Sequence, residues 1–360
     1  MSKRLTKQDL EYAVIGGSIL GGGGGGSIEM GREIGERALE IGDVYLVSTD
    51  EIPDQAVLLT VSAVGAPAAK MKKVKPEDYL RTIKMYEEVI NRSVDGFITN
   101  ENGGTATVNG WIQAASYGKP LVDAPCNGRA HPTGIMGSMG LHKLKDYTSV
   151  QTAVGGDSEK QMDVEVYCRG NIYNTSSIVR QASIGAGGLV AVARNHVSAD
   201  YVKNNGAPGA IAQAIEIGEA FYKGIKTSSD EAIRCVCEVV DAQIVAKGKV
   251  KDYKIETLDG FDIGMFQVDN QELTFWNEYM TLDLGGDRLY TFPDLIMTMN
   301  LMTGRPVTSA EIEENMEVAV IATKSENLIL GAGMFDPDLL EDVEKVIGRK
   351  MVPYVFKYEK

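Results

Sequence analysis

The segment Gly16-Gly-Ser-Ile-Leu-Gly-Gly-Gly-Gly-Gly-Gly-Ser27-Ile-Glu29 organises the reading of this chain. The glycines Gly21–Gly26 allow positive φ and let backbone N–H groups converge on a ligand. A helix starting at Ser27 and running to about Ile41 adds its positive dipole end, with Ile28, Ile34, Ala38, Leu39 and Ile41 at helical spacing. Such a turn suits a carboxylate, a phosphate or a developing oxyanion. The alternative is a turn where two backbones pack closely, although so many glycines carry an entropic cost that a turn alone does not require. The dinucleotide pattern is not in its normal context, because Asp43 precedes the strand that should carry the ribose-binding acid. No Lys-Ser/Thr follows, so it is not a Walker loop either. A nucleotide-dependent enzyme is therefore the weakest of the functional readings.

Before the glycines, residues 1–12 read as a lead-in helix, and Ala13–Leu20 as a short strand or the end of that helix. After them, the strands Val44–Ser48, Ala56–Ala63, Gly96–Thr99 and Leu121–Asp123 alternate with helices. Pro76–Ser93 is one, with Pro76 in its first turn; Gly110–Tyr117 is another, closed by Gly118. Strand-like alternation at Met162–Cys168, an apolar stretch at 182–202 and a helix at Ala207–Lys223 follow. Composition then shifts to β-branched and aromatic residues. Ala232–Val240, Gln243–Val250, Tyr253–Leu258, Phe261–Gln267, Glu272–Asn277 and Met280–Asp283 read as antiparallel strands. Asp294–Met299, Val307 and Met316–Ala322 read as further strands, the acidic run Glu311–Glu317 as a solvated helix face, and Pro337–Ile347 as a late helix. The expected architecture is an α/β N-terminal domain with Gly-rich strand–turn–helix loops (1–228) plus a β-rich C-terminal domain (229–330), α+β overall. A C-terminal helix and tail (331–360) is expected to pack back on the first domain.

A chain of 360 residues suits two domains. Its net charge of −14 argues against nucleic acid or an anionic membrane as the main partner. The cysteines Cys126, Cys168, Cys235 and Cys237 are too few for a disulfide framework, and Cys235 and Cys237 on a strand would point to opposite faces. No signal peptide is visible in the polar residues 1–12, and no apolar run reaches the ~18–20 residues of a membrane span. A cytoplasmic homo-oligomer acting on a small molecule is expected.

Two further motifs follow strands, where ligands gather in open α/β sheets. In Asn100-Glu-Asn-Gly-Gly-Thr105, Glu101 suits a base, an acid or a metal ligand. Asn102 suits a carbonyl or amide, and Gly103 and Gly104 permit close backbone approach. The segment Asp123-Ala-Pro-Cys126-Asn-Gly-Arg129-Ala-His131-Pro132 offers a carboxylate, a thiol, a guanidinium and an imidazole. Asp123 and His131 suit a shared proton or metal, Arg129 a substrate carboxylate, and Cys126 a nucleophile if its neighbours lower its pKa. His142 lies eleven residues beyond His131, outside standard zinc spacing. If one divalent ion (Zn or Mg) is held, Asp123, His131 and His142 are its candidate ligands. The cofactor is otherwise unknown. His196 reads as structural. The candidate substrate-binding backbone is Gly22, Gly23, Gly24, Gly25, Gly26 and Ser27 with Asn102, Gly103 and Gly104.

Together these motifs resemble the DUF917 family, also called the S-methyl-thiohydantoin desulfurase-like family. The resemblance is carried by the Gly-rich opening before a helix, Glu101–Gly104, Pro120-Leu-Val-Asp123, Gly128-Arg129-Ala-His131-Pro132 and Thr303-Gly304-Arg305-Pro306, and it spans roughly 12–348. It implies an α/β part and a β-rich part, an association with hydantoinase/oxoprolinase-type proteins, and hydrolytic removal of methanethiol from an S-methylated thiohydantoin ring. The family usually shows Asp-Ala-Asp-Gly-Met-Gly-Arg-Ala-Phe-Pro, whereas here Pro125, Cys126 and His131 replace its second Asp, the following Gly and its Phe. The leading expectation is a hydrolase of a small cyclic imide, amide or thioimidate, with Glu101 or Asp123 as base. The alternative is a non-catalytic binding or regulatory subunit that works with a hydantoinase/oxoprolinase-type partner. Either requires the three loops to meet in one cavity.

Overall fold

A computed structural model of the chain describes residues 2–65, 69 and 71–356; Met1 of the expected lead-in helix and 357–360 of the expected tail lie outside them. The first sheet holds β1 (Lys3–Arg4), β2 (Tyr45–Val47), β3 (Val57–Gly65), β4 (Gly96–Thr99), β5 (Leu121–Val122), β6 (Ser149–Gly155), β7 (Val164–Gly170) and β8 (Leu189–Ser198). Its spatial order is β1-β2-β5-β4-β3-β8-β6-β7. β2, β5, β4 and β3 run parallel, and β8, β6 and β7 extend the sheet antiparallel. The second sheet holds β9 (Gln243–Leu258), β10 (Phe261–Val268), β11 (Gln271–Trp276), β12 (Glu278–Leu284), β13 (Asp287–Thr291), β14 (Leu295–Asn300), β15 (Pro306–Val307) and β16 (Glu317–Thr323). It is antiparallel throughout, in the order β13-β12-β11-β10-β9-β16-β14-β15. The helices are α1 (Lys7–Gly21), α2 (Ile28–Ile41), α3 (Pro76–Ile90), α4 (Trp111–Tyr117), α5 (Ile172–Gly185), α6 (Ala199–Asn205), α7 (Ala210–Gly224), α8 (Ser229–Val239), α9 (Pro337–Ile347) and α10 (Val352–Val355). The α/β half and the β-rich half expected from the sequence are both present.

The stretch Ala13–Leu20 is the end of α1. It is apolar all round because every residue of it is buried, so its periodicity carries no signal. One core joins α1, α7 and α8 to side chains of both sheets. Glycines bring α1 and α7 together backbone to backbone. A Cβ on Gly16 would sit 1.7 Å from the Ala214 carbonyl oxygen, and one on Gly218 would sit 2.0 Å from that of Tyr12. Neither obstacle is a flexible side chain, so Gly16→Ala is expected to lower stability by about 3 kcal/mol. Urea unfolding checks this, and a midpoint unchanged from wild type contradicts the crossing.

Several sequence expectations are corrected. Ala232–Val240, expected as a strand, lies mostly in α8. Ser228 accepts from the Glu231 N–H at 3.1 Å, and Ala232, Ile233 and Val236 are buried at helical spacing. The β-branched composition of this stretch is outweighed by its Ser-Ser-Asp-Glu start, which caps the helix and suits its dipole. Cys235 and Cys237 therefore stand on a helix, both as free thiols. The expected strands at 243–250 and 253–258 are one strand, β9, and α5, β6 and β13 had no counterpart in the sequence reading. The acidic run at 311–317 is not a helix. Glu311 accepts from the N–H and hydroxyl of Thr308 in a turn, and Glu317 opens β16. Among the described residues no helix is long and apolar enough to cross a membrane.

Candidate active site

A cavity of about 510 Å³ opens beside the carboxyl ends of β3 and β4, a size that suits a small ligand. The hexaglycine turn forms part of its wall. Gly22, at φ 56°, ends α1, and Ser27 caps α2 by accepting from the Met30 N–H at 3.3 Å. Each intervening glycine is pressed against another element. A Cβ on Gly22 would lie 2.4 Å from Arg129 Nη2, one on Gly24 1.9 Å from Glu278 Oε1, and one on Gly25 2.5 Å from Gly103 Cα. The Gly22 and Gly23 carbonyls accept from the Tyr279 and Ser309 N–H groups at 2.7 and 2.9 Å, and the Gly25 carbonyl accepts from Thr105 and Ala106. The turn is thus gripped by both halves of the molecule. The N–H groups of Gly25, Gly26 and Ser27 make no hydrogen bond among the described residues, and all three residues line the cavity.

The Asn100–Thr105 loop interlocks with this turn. Asn102 donates to the Gly128 and Ala210 carbonyls at 3.1 and 2.8 Å and accepts from the Thr107 hydroxyl at 3.0 Å. It is a buried brace, and a Cβ on Gly104 would lie 2.6 Å from the Gly26 oxygen. Glu101 lines the cavity itself. Its Oε2 accepts from the His131 backbone N–H at 3.3 Å and lies 3.1 Å from His131 Nε2, without the alignment of a hydrogen bond. Burial pushes the Glu101 carboxyl up to about 7 against the opposing pull of that N–H and of Arg194. Burial, with the positive charge of Arg194, pushes His131 down to about 3. At neutral pH the pair is a poised carboxyl beside a neutral imidazole.

A second carboxyl faces the same cavity. Glu278 follows the turn residue Asn277, at φ 57°, between β11 and β12. It is buried, and its Oε2 has no hydrogen-bond partner among the described residues. Burial, then the negative charge of Glu101, drives its pKa well above the ordinary carboxyl range. Arg180 and Arg194 also line the cavity. Arg180 donates to the Gly65 and Gly260 carbonyls at 3.0 and 3.1 Å and stacks 4.1 Å from the Phe261 ring centre, and burial lowers it to about 10.

Other residues singled out from the sequence stand elsewhere. Arg129 is fully buried behind Gly22, donates to the Pro293 and Asp294 carbonyls and lies 4.6 Å from the Phe292 ring centre; it does not line the cavity. Asp123 caps α7, accepting from the Ile211 N–H at 2.8 Å and from Ala212. Cys126 lies 3.4 Å from the Thr60 hydroxyl, and burial pushes its thiol up to about 11. His142 sits between the Ser138 hydroxyl at 3.0 Å and Asp336 at 2.6 Å, tying its loop to the start of α9. His196 pairs with the Tyr86 hydroxyl at 2.8 Å. Asp123, His131 and His142 have separate partners, and among the described residues no group of three or more His, Cys, Asp or Glu is arranged to hold a metal ion. Cys126→Ser is expected to retain turnover within about twofold, since a buried thiol with a raised pKa supplies little thiolate. Loss of most activity in that variant restores the thiol to the mechanism.

Sequence reasoning missed Arg180, Arg194 and Glu278. A signal existed for Arg194, a charged residue inside the apolar run 189–197. Glu278 had none, because it sits in an ordinary Asn-Glu turn.

Two family models match this chain: "S-Me-THD-like, N-terminal domain" over residues 8–162 and "S-Me-THD-like, C-terminal domain" over residues 171–332. Glu101 and His131 fall in the first range, and Arg180, Arg194 and Glu278 in the second, so the cavity draws on both. Among solved structures, the crystal structure of a protein from Chromobacterium violaceum is similar in fold. It is 19% identical, covers 95% of this chain and 96% of that chain, and superposes with a TM-score of 0.66. No curated protein matches the chain.

Proposed function

The chain belongs to the S-Me-THD-like family, and on that footing we propose that it is a hydrolase of a small ring of the hydantoin type, acting on an S-methylated thiohydantoin or a related cyclic imide or amide. The observation that carries this reading is the pair Glu101 and Glu278, two carboxyls in one cavity whose surroundings raise both pKa values. Carboxyls tuned in this way divide the work of base and acid.

Glu101, titrating near neutrality, takes a proton from water as the water oxygen bonds to the ring carbon that carries sulfur. The second water proton passes to the ring nitrogen. The carbon–sulfur bond then breaks, and the leaving methanethiolate takes the proton of Glu278, giving the ring amide and methanethiol. Glu278 then recovers a proton and Glu101 loses one to solvent. The N–H groups of Gly25, Gly26 and Ser27, which have no partner among the described residues, are suited to the charge that develops on the ring as water adds. Neutral His131 orients Glu101 through its backbone N–H.

The test is incubation of the purified protein with an S-methyl-2-thiohydantoin, following thiol release with a disulfide reagent. Saturable release above the buffer rate supports the reading. Tight binding with no thiol released sinks it and favours a binding subunit that works with a separate hydantoinase-type enzyme.

A further inference from the structure

Arg194 is 2% exposed, lines the cavity and makes no side-chain hydrogen bond among the described residues. Arg129 and Arg180 both donate to backbone carbonyls, whereas Arg194 donates to no group among the described residues and is met only by the through-space charge of Glu101. A buried guanidinium whose hydrogen bonds are unmade is costly, and the cost falls when a carboxylate completes them.

Its direction is set by a defect in the sheet. Val197 of β8 faces Leu58 of β3, but Arg194 faces Thr60, so Asn195 and His196 together oppose Leu59. Asn195, at φ 53°, is held there by the Ser149 hydroxyl at 2.7 Å. Without this bulge, strict alternation from Val197 would turn Arg194 to the face where His196 meets Tyr86 of α3. With it, Arg194 shares the face of Thr60 and Cys126. Two glycines give it room: a Cβ on Gly134 would lie 2.8 Å from Nη1, and one on Gly137 3.6 Å from Nη2.

We propose that Arg194 is the carboxylate-binding residue of the cavity, and that the natural ligand is a ring compound that also bears a carboxylate. The ring half rests on the hydrolase reading above; the carboxylate half rests on Arg194 alone. A guanidinium pairs with a carboxylate through two parallel hydrogen bonds, which an ammonium does not reproduce. Val64, Phe261 and Trp276 also line the cavity and supply apolar surface for a planar ring.

The test compares S-methyl-2-thiohydantoins carrying a 5-acetate arm and its neutral 5-acetamide counterpart, using wild type, Arg194→Met and Arg194→Lys. Thiol release gives KM and kcat separately. In wild type the acid is expected to show a KM about a hundredfold below that of the amide. In both variants that gap should close to a few-fold. Without ligand and at about pH 5.5, where Glu101 keeps its proton, Arg194→Met should melt no lower than wild type, because it removes a desolvated charge; an arginine with only a structural role would lower the melting temperature. Equal KM values for acid and amide in wild type overturn the proposal while leaving the hydrolase reading intact. If neither compound is turned over, the hydrolase reading fails, and succinate decides the carboxylate half. A rise in melting temperature that Arg194→Met abolishes supports it, and no rise overturns it.

Discussion

Glu101→Gln is expected to cut kcat/KM for thiol release by about a thousandfold, in the upper part of the range for losing a positioned base. Glutamine keeps the shape and the ability to accept from the His131 N–H, the contact that Glu101 makes at 3.3 Å. What it lacks is a site for the proton taken from water. The wild-type rate should rise with pH through about 7 as Glu101 loses its proton. The same substitution has a second consequence of opposite sense. The Glu101 pKa is raised on folding from 4.5 to about 7. The unfolded chain therefore releases this proton first, and Glu101 costs stability progressively as pH rises from about 4.5 to about 7. Glu101→Gln should then be more stable than wild type at pH 8 and close to it at pH 4. Thermal melts across that range check the sign. A variant that is inactive and also less stable at pH 8 indicates a structural rather than a chemical role.

His131 contributes the opposite slope. Burial and Arg194 lower it from 6.5 to about 3 on folding. The unfolded chain binds a proton that the folded chain refuses, so stability declines as pH falls from about 6.5 to about 3. The two groups together place the stability maximum of this cavity on the acid side of neutrality.

Glu278→Gln is expected to lower methanethiol release by about a hundredfold, because the leaving thiolate loses its proton donor. The loss should depend on the leaving group. An S-aryl analogue, whose thiolate departs without help, should lose less than about tenfold. Measuring both substrates on the same variant separates general acid catalysis from damage to the fold. Glu278 also packs on Gly24, whose Cβ position lies 1.9 Å from Oε1, so a merely structural defect would depress both substrates equally. Equal losses therefore remove Glu278 from the proton path and leave Glu101 as the only carboxyl in the chemistry.

Much of the architecture follows from local rules. Ser27 caps α2, Pro76 opens α3, Gly118 closes α4, and α9 spans the expected Pro337–Ile347. Capping chemistry and short, periodic patterns are written into neighbouring residues, so these elements were read directly. Local rules fail where neighbouring residues are silent. From Ala13 to Leu20 the helix α1 is buried on all sides and shows no face, and the apolar spacing of α8 carries β-branched residues on a helix.

The sequence by itself determined the family, the two kinds of sheet and the meeting of the glycine turn with the Glu101 loop, because small residues and strand ends announce close approach wherever they fall. Tertiary structure alone decided which charges enter the cavity. Arg129 turned into a strut behind Gly22 because the Pro293 and Asp294 carbonyls came within its reach, and Asp123 was taken by the start of α7. Arg194 and Glu278 entered because a bulge at Asn195 and a one-residue turn at Asn277 aimed them inward. A side chain's direction depends on pairing register and on partners distant along the chain, and neither is encoded in the residues beside it.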